Sequence, residues 1–261
     1  MIKEQTRLTS FHQRKDLQGC VYGRQSGIHI TFLEGFRHRI SQKTMSCLIS
    51  RNFSVGIIRL TTFFKKQMKN ILCIRHGRAV HNVLCDEIGE EAYFLKESYD
   101  APLVEEGILQ AKELGNNSKQ LKNIDIVFVS PLTRTLQTAE NIFEKNQKVK
   151  IVALDKIKEF PQGIDICNKR RNRIELKEKF KKVDFSLLDS DSDQMWREDR
   201  YEKVEELKER IDEFKKFVTN GNDNNIAIVS HNNFLKELLF QNCDDETFIL
   251  DHCHPYKLDL F

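Results

Sequence analysis

From residue 70 onward, short apolar runs alternate with amphipathic segments of helical length. Ile71–Arg75 opens on Ile71-Leu72-Cys73-Ile74, a run of the length of a buried strand. Glu105–Gln120 carries Ile108, Leu109, Ala111 and Leu114 at helical spacing, with Leu121 just beyond. Ile124–Val129 reads as a second strand, closed by Ser130-Pro131, and Thr133–Glu144 as the helix that follows. Lys148–Ala153 is a third, shorter strand. Lys169–Lys181 and Tyr201–Val218 read as densely charged helices, Asn225–Val229 as a fourth strand, and Phe234–Phe240 as a helix. Strands separated by helices predict an α/β fold: a three-layer sandwich with a mostly parallel central sheet and helices on both faces. Ligands of such sheets bind outside the carboxyl ends of the strands.

Residues 1–67 show no sustained period. They hold 12 Lys/Arg against 3 Asp/Glu, while the remainder holds 30 against 36. The Arg-rich, Ser/Thr-containing composition is compatible with an organellar transit peptide, against which Glu4 and Asp16 count. A disordered leader, or a true start at Met68, accounts for the segment more simply than targeting does. A folded domain accounts for it least well. The expected division is therefore a basic leader, 1–67, and a catalytic domain, 68–261.

The rest of the composition narrows the class. No apolar stretch approaches the ~20 residues of a membrane span, so a soluble protein without a membrane partner is expected. Its basic residues are dispersed among Ser, Thr, Gln and Gly with no RNA-binding signature, so no nucleic-acid partner is expected. The seven cysteines (Cys20, Cys47, Cys73, Cys85, Cys167, Cys243, Cys253) form no CxxC pair, which predicts reduced thiols and a cytoplasmic location, or an organellar one if the leader is a transit peptide. His252-Cys253-His254 lacks the further ligands of a four-coordinate site and reads as ordinary C-terminal sequence, with no metal expected. Asp184–Asp193 is an acidic, Ser-rich surface loop or part of a cap. Arg200–Lys216 is a solvated helix face.

Four strand ends present residues suited to phosphate. The first gives Arg75, His76 and Asn82. The second gives Ser130 and Arg134. After the third comes Leu154–Glu159, and the fourth ends in Ser230-His231-Asn232. Each alone has a plain structural explanation. Placed at successive strand ends of a parallel sheet, two His, two Arg and a Glu converge on one edge. Imidazole can attack phosphorus, and a guanidinium fork can hold the phosphate oxygens.

The chain resembles the histidine phosphatase superfamily, also called phosphoglycerate mutase-like. The resemblance rests on Ile74-Arg75-His76-Gly77-Arg78, Asn82, the stretch Asp100–Gly107, the stretch Ser130–Ala139, Glu159 with Gly163, and Val229-Ser230-His231. It spans about residues 70 to 260 and implies the fold predicted above, with a helical cap segment at about 161–200. It implies that His76 is the nucleophile that becomes phosphohistidine and that Glu159 donates the proton to the leaving oxygen. Arg75, Arg134 and His231 would surround the phosphoryl group, with Asn82 in support. Lys169 and Arg170 fall where the family's mutase-like branch holds the rest of the substrate. No cofactor is implied, and the expected partner is a small phosphorylated substrate.

Two departures qualify the match. Val104 stands where the family often carries Ser or Thr, and the stretch after the catalytic Glu reads Phe160-Pro161-Gln162-Gly163-Ile164-Asp165. Both point to a divergent member rather than the glycolytic enzyme. The expected activity is metal-independent phosphomonoester hydrolysis. A phosphoglycerate-type mutase is the alternative within the class, and a weakly active phospho-ligand or partner-binding member the alternative outside it.

Overall fold

The computed structural model describes residues 69–259. The leader 1–67 and the start at Met68 lie outside the described residues. Six strands form one sheet: β1 (Asn70–Arg75), β2 (Ile126–Val129), β3 (Lys150–Ala153), β4 (Val183–Asp184), β5 (Asn225–Ser230) and β6 (Pro255–Leu258). Their order is β4-β3-β2-β5-β1-β6. Five run parallel, and β6 lies antiparallel against β1 at the edge. The α/β sheet expected from the sequence is present, extended by the two edge strands.

Among the described residues six α-helices accompany the sheet: α1 (Val80–Ile88), α2 (Glu105–Asn117), α3 (Thr133–Ile142), α4 (Arg173–Lys179), α5 (Val204–Asn220) and α6 (Asn232–Phe240). The alternation of strand side chains separates two cores. Leu72, Ile74, Val127, Val129, Ala227 and Val229 face one way, toward α2, α3 and α4. Ile71, Cys73, Phe128, Ile226 and Ile228 face the other, toward α5 and α6. A sheet buried on both faces explains why its central strands read as continuous apolar runs.

The expected helical cap is corrected. Of residues 161–200 the only α-helix is α4, and its Leu176 packs into the sheet core with Phe180 and Val183. The part of this segment that reaches the sheet's carboxyl edge is a loop with a 3₁₀ turn at Ile166–Asn168. The facing wall comes from α1 and the 3₁₀ segment Gly89–Phe94, neither of which the sequence pattern announced.

Candidate active site

β1 and β5 are parallel neighbours, so Arg75-His76 and Ser230-His231 leave the sheet side by side. The His76 N–H donates to the Ser230 carbonyl at 3.0 Å. β2, on the far side of β5, delivers Ser130 and then Arg134 in the first turn of α3. Glu159 follows β3. Arg75, His76, Asn82, Arg134 and Glu159 line a single cavity of about 440 Å³. The loop after β1 runs close to α2: a Cβ at Gly77 would meet the Gly107 carbonyl oxygen at 2.5 Å. The Gly77 N–H donates to Thr138 Oγ1 at 3.0 Å, which ties this loop to α3.

His76 is buried, and its Nδ1 lies 2.8 Å from the Gly77 carbonyl. A carbonyl only accepts, so Nδ1 carries the hydrogen. Burial, followed by the charges of Arg134, His231 and Arg75, holds the ring well below the usual histidine range. The ring is therefore neutral at pH 7, with its lone pair on Nε2.

Three further imidazoles surround it, with ring centroids 5.2 Å (His231), 5.5 Å (His252) and 5.7 Å (His81) from that of His76. His81 was not singled out in the sequence, although it sits beside Asn82. His252 was read there as ordinary C-terminal sequence. The chain brings it back next to β1, where its Nδ1 lies 2.6 Å from the His76 carbonyl and the Cys253 N–H donates to the Arg75 carbonyl at 3.0 Å. His254 turns instead onto Tyr256.

Both arginines are held from behind. Arg134 is buried, and its two terminal nitrogens donate to the Cys167 carbonyl at 2.8 Å and to Asn168 Oδ1 at 3.0 Å. Arg75 Nη1 donates to the Leu250 carbonyl at 2.6 Å. His231 Nε2 lies 2.7 Å from Ser130 Oγ. What remains is informative. Among the described residues Arg75 Nε, Arg134 Nε, His81 Nδ1 and His231 Nδ1 are buried without a hydrogen-bond partner. Unpaired buried nitrogens are costly, and these four cluster about one histidine.

Glu159 Oε1 accepts three backbone N–H groups, from Phe160, Asn233 and Phe234. Burial raises its carboxyl above the usual range, outweighing these donors and the charges of Arg134 and Arg75. Asn82 lines the cavity while its Oδ1 accepts the Ala79 N–H at 3.0 Å, opening α1.

Lys169 and Arg170 are not in the cavity wall, which corrects the expectation that they hold the substrate. Arg170 is buried, its Nε donating to Asp155 Oδ1 at 2.9 Å and its terminal nitrogens to backbone carbonyls of Asp191, Ser190 and Ser192. Lys169 places its ammonium over the Trp196 ring, 3.9 Å from the centroid. The Arg170 charge is paired inside the loop, and the Lys169 ammonium lies on an aromatic face.

The model of the histidine phosphatase superfamily (branch 1) matches residues 71–248. A phosphoglycerate mutase-like protein of Arabidopsis thaliana is 29% identical over 222 residues, 74% of this chain and 79% of its own length. Phosphoglycerate mutase-like protein 1 of the same plant is 29% identical over 216 residues, 72% and 74% of the two lengths. Among solved structures, the alpha-ribazole phosphatase of Shigella flexneri superposes with a TM-score of 0.48 at 21% identity, covering 71% of this chain and 88% of that one.

Proposed function

The chain belongs to the histidine phosphatase superfamily (branch 1), and within it we propose a phosphomonoesterase that works through a phosphohistidine on His76. The observation that carries this reading is the contact of His76 Nδ1 with the Gly77 carbonyl, which leaves Nε2 as the free ring nitrogen. The ring hydrogen is committed to Gly77, the ring is neutral, and its Nε2 lone pair is available beside four unpartnered buried nitrogens.

Nε2 attacks phosphorus. The bond from phosphorus to the leaving oxygen breaks, and its electron pair takes the proton of Glu159 as the N–P bond forms. Arg75, Arg134 and His231 surround the equatorial oxygens, where the transition state spreads its negative charge. If the Ser130 hydroxyl donates to His231 Nε2, the His231 Nδ1–H is turned to the phosphoryl group. Asn82 supports the pocket mouth. Water then attacks the phosphohistidine, gives a proton to the Glu159 carboxylate and releases phosphate with His76 restored. In this reading the positive charge comes from side chains, and no metal takes part.

Acid–base behaviour of the intermediate provides the test. Quenching a turnover with ³²P-labelled phosphomonoesters should trap an acid-labile, alkali-stable phosphoenzyme in the wild type and none in His76→Ala, with phosphate release lost in parallel. Phosphate release by His76→Ala at the wild-type rate would end the proposal. The names of the plant relatives suggest a mutase as the alternative. A transferred phosphoryl group recovered on the substrate, in place of free phosphate, would favour it.

A further inference from the structure

The cavity is charged unevenly. Of its lining residues the Lys/Arg side chains are Arg75 and Arg134, both at the His76 end. Apart from Glu159 the acidic lining residues are Glu90, Asp165 and Glu246, and four Tyr/Phe and four asparagine side chains share the wall, Tyr93, Phe160 and Tyr201 among them. Asp165 is buried and accepts the Tyr201 hydroxyl at 2.6 Å. Glu90 lies near enough for its charge to push the Asp165 carboxyl further up, in addition to burial. The cations nearest in sequence to Asp165 are engaged in other contacts, Arg171 with Asp100 and Glu175 among them. Arg170 is taken by Asp155, Lys169 lies on Trp196, and Arg197 and Arg200 both pair with Glu206.

We propose that this cavity selects phosphomonoesters whose leaving group carries no negative charge, with amine-bearing leaving groups preferred, and that Glu90 and Asp165 set the preference. The inference rests on the phosphatase reading. A carboxylate on the leaving group would enter a partly desolvated space whose fixed charges repel it and whose cations are spent on the phosphoryl group. An ammonium there meets carboxylates and aromatic faces instead. A glycerate phosphate is therefore a poor substrate, which also disfavours the mutase alternative.

Three esters of similar size separate the cases: O-phosphoethanolamine, sn-glycerol 3-phosphate and 3-phosphoglycerate. The first two are expected to exceed the third in kcat/KM by about tenfold or more at low ionic strength, with the gap narrowing as salt is added. Glu90→Gln, at an exposed position, and the double variant with Asp165→Asn should each shrink the ratio of the first to the third severalfold. For any ester that is not cleaved, the wild-type Kd by calorimetry replaces kcat/KM, and the same order is expected. Equal treatment of 3-phosphoglycerate and glycerol phosphate, or a ratio that both variants leave unchanged, overturns the selectivity. Failure of the phosphatase reading looks different: no ester releases phosphate in a His76-dependent way, while the order of Kd values still reports on the charge preference.

Discussion

Glu159 Oε1 accepts the backbone N–H of Phe234 at 3.2 Å, and so sits on the amino end of α6, the helix that begins directly after His231. With Phe160 and Asn233 donating to the same atom at 2.9 and 3.1 Å, Oε1 is saturated as an acceptor. The proton of a neutral Glu159 therefore resides on Oε2. One side chain is at once tied to β5's exit and left with one oxygen to give a proton.

Replacing that proton tests the assignment. Burial raises Glu159, so activity should fall as pH rises through its elevated pKa, while the lowered His76 leaves the acid side active until well below the usual histidine range. Glu159→Gln keeps an acceptor for the three N–H groups and should lower kcat by about 10²–10⁴-fold on alkyl phosphates, with loss of the alkaline limb. On p-nitrophenyl phosphate, whose leaving group departs without a proton, the loss should be much smaller. Equal losses on both substrates would remove Glu159 from proton transfer.

The Arg134 guanidinium is fixed by two acceptors that come from the loop after Glu159, Cys167 and Asn168. Arg134→Lys keeps the charge but cannot keep this fork, and should cost about 10²–10³-fold in kcat. Asn168→Ala removes one of the two tethers and leaves the charge. A smaller loss, about tenfold in kcat/KM, is expected from a group that only positions Arg134. Restoration of most of that loss by Asn168→Asp, which keeps an acceptor, would separate positioning from general damage. An unchanged kcat/KM in Asn168→Ala would show that Arg134 needs no such hold.

The residues legible in the sequence share one property: they lie at the ends of fully buried parallel strands. Arg75-His76, Ser130, Glu159 and Ser230-His231 each follow an apolar run, and a parallel sheet has only one carboxyl edge to put them on. The missed contributors lack such a signal. β4 is two residues long, and β6 is an edge strand containing Pro255 and Lys257, so neither reads as an apolar run. His252 reaches His76 through a chain return that no local pattern encodes. Glu90 and Tyr93 sit in a 3₁₀ segment, without a helical or strand period to announce a wall of the cavity. Arg170 misled for a further reason: a basic residue in sequence does not show whether its charge is consumed inside, and its partner Asp155 lies fifteen residues upstream.

That relocation of Arg170 has a measurable consequence. Its side chain is fully buried against Asp155, and Arg170→Ala would leave that carboxylate and four carbonyls without their donor. Breaking one partner of a buried pair costs about 3–5 kcal/mol, so the urea midpoint should drop sharply. At a temperature where the variant is still folded, KM should stay near the wild-type value. A raised KM with unchanged stability is what a substrate-binding arginine would give, and would reverse the placement.

Acid should weaken this fold earlier than carboxylate titration alone would. Burial lowers His76, His81 and His231 well below the ordinary range, and His252 to about 4. In the unfolded chain all four titrate near 6.5. Below that pH the unfolded state takes up protons that the folded state refuses, so stability present above 6.5 is lost as pH falls, by up to about 1.4 kcal/mol per pH unit for each histidine. Four carboxyls act in the opposite sense, Glu140 and Asp165 among them, both raised by burial. Asp100, raised to about 6 by burial, and Glu159, also raised, hold protons in the folded state that the unfolded chain has released, and so offset part of the loss. Carboxyls take up protons in the unfolded chain only at about pH 4, whereas the histidines do so from about pH 6.5, and three of the four rings are held well below that in the fold, so a net fall is expected between pH 6.5 and 5. Urea denaturation at pH 7, 6 and 5 in a phosphate-free buffer should show it, and His252→Asn should flatten the slope. Inorganic phosphate should raise the midpoint at each pH, because an anion among Arg75, Arg134, His81 and His231 supplies the partners their buried nitrogens lack. A midpoint that does not change from pH 7 to 5, with a slope that His252→Asn also leaves unaltered, would overturn the expected histidine contribution.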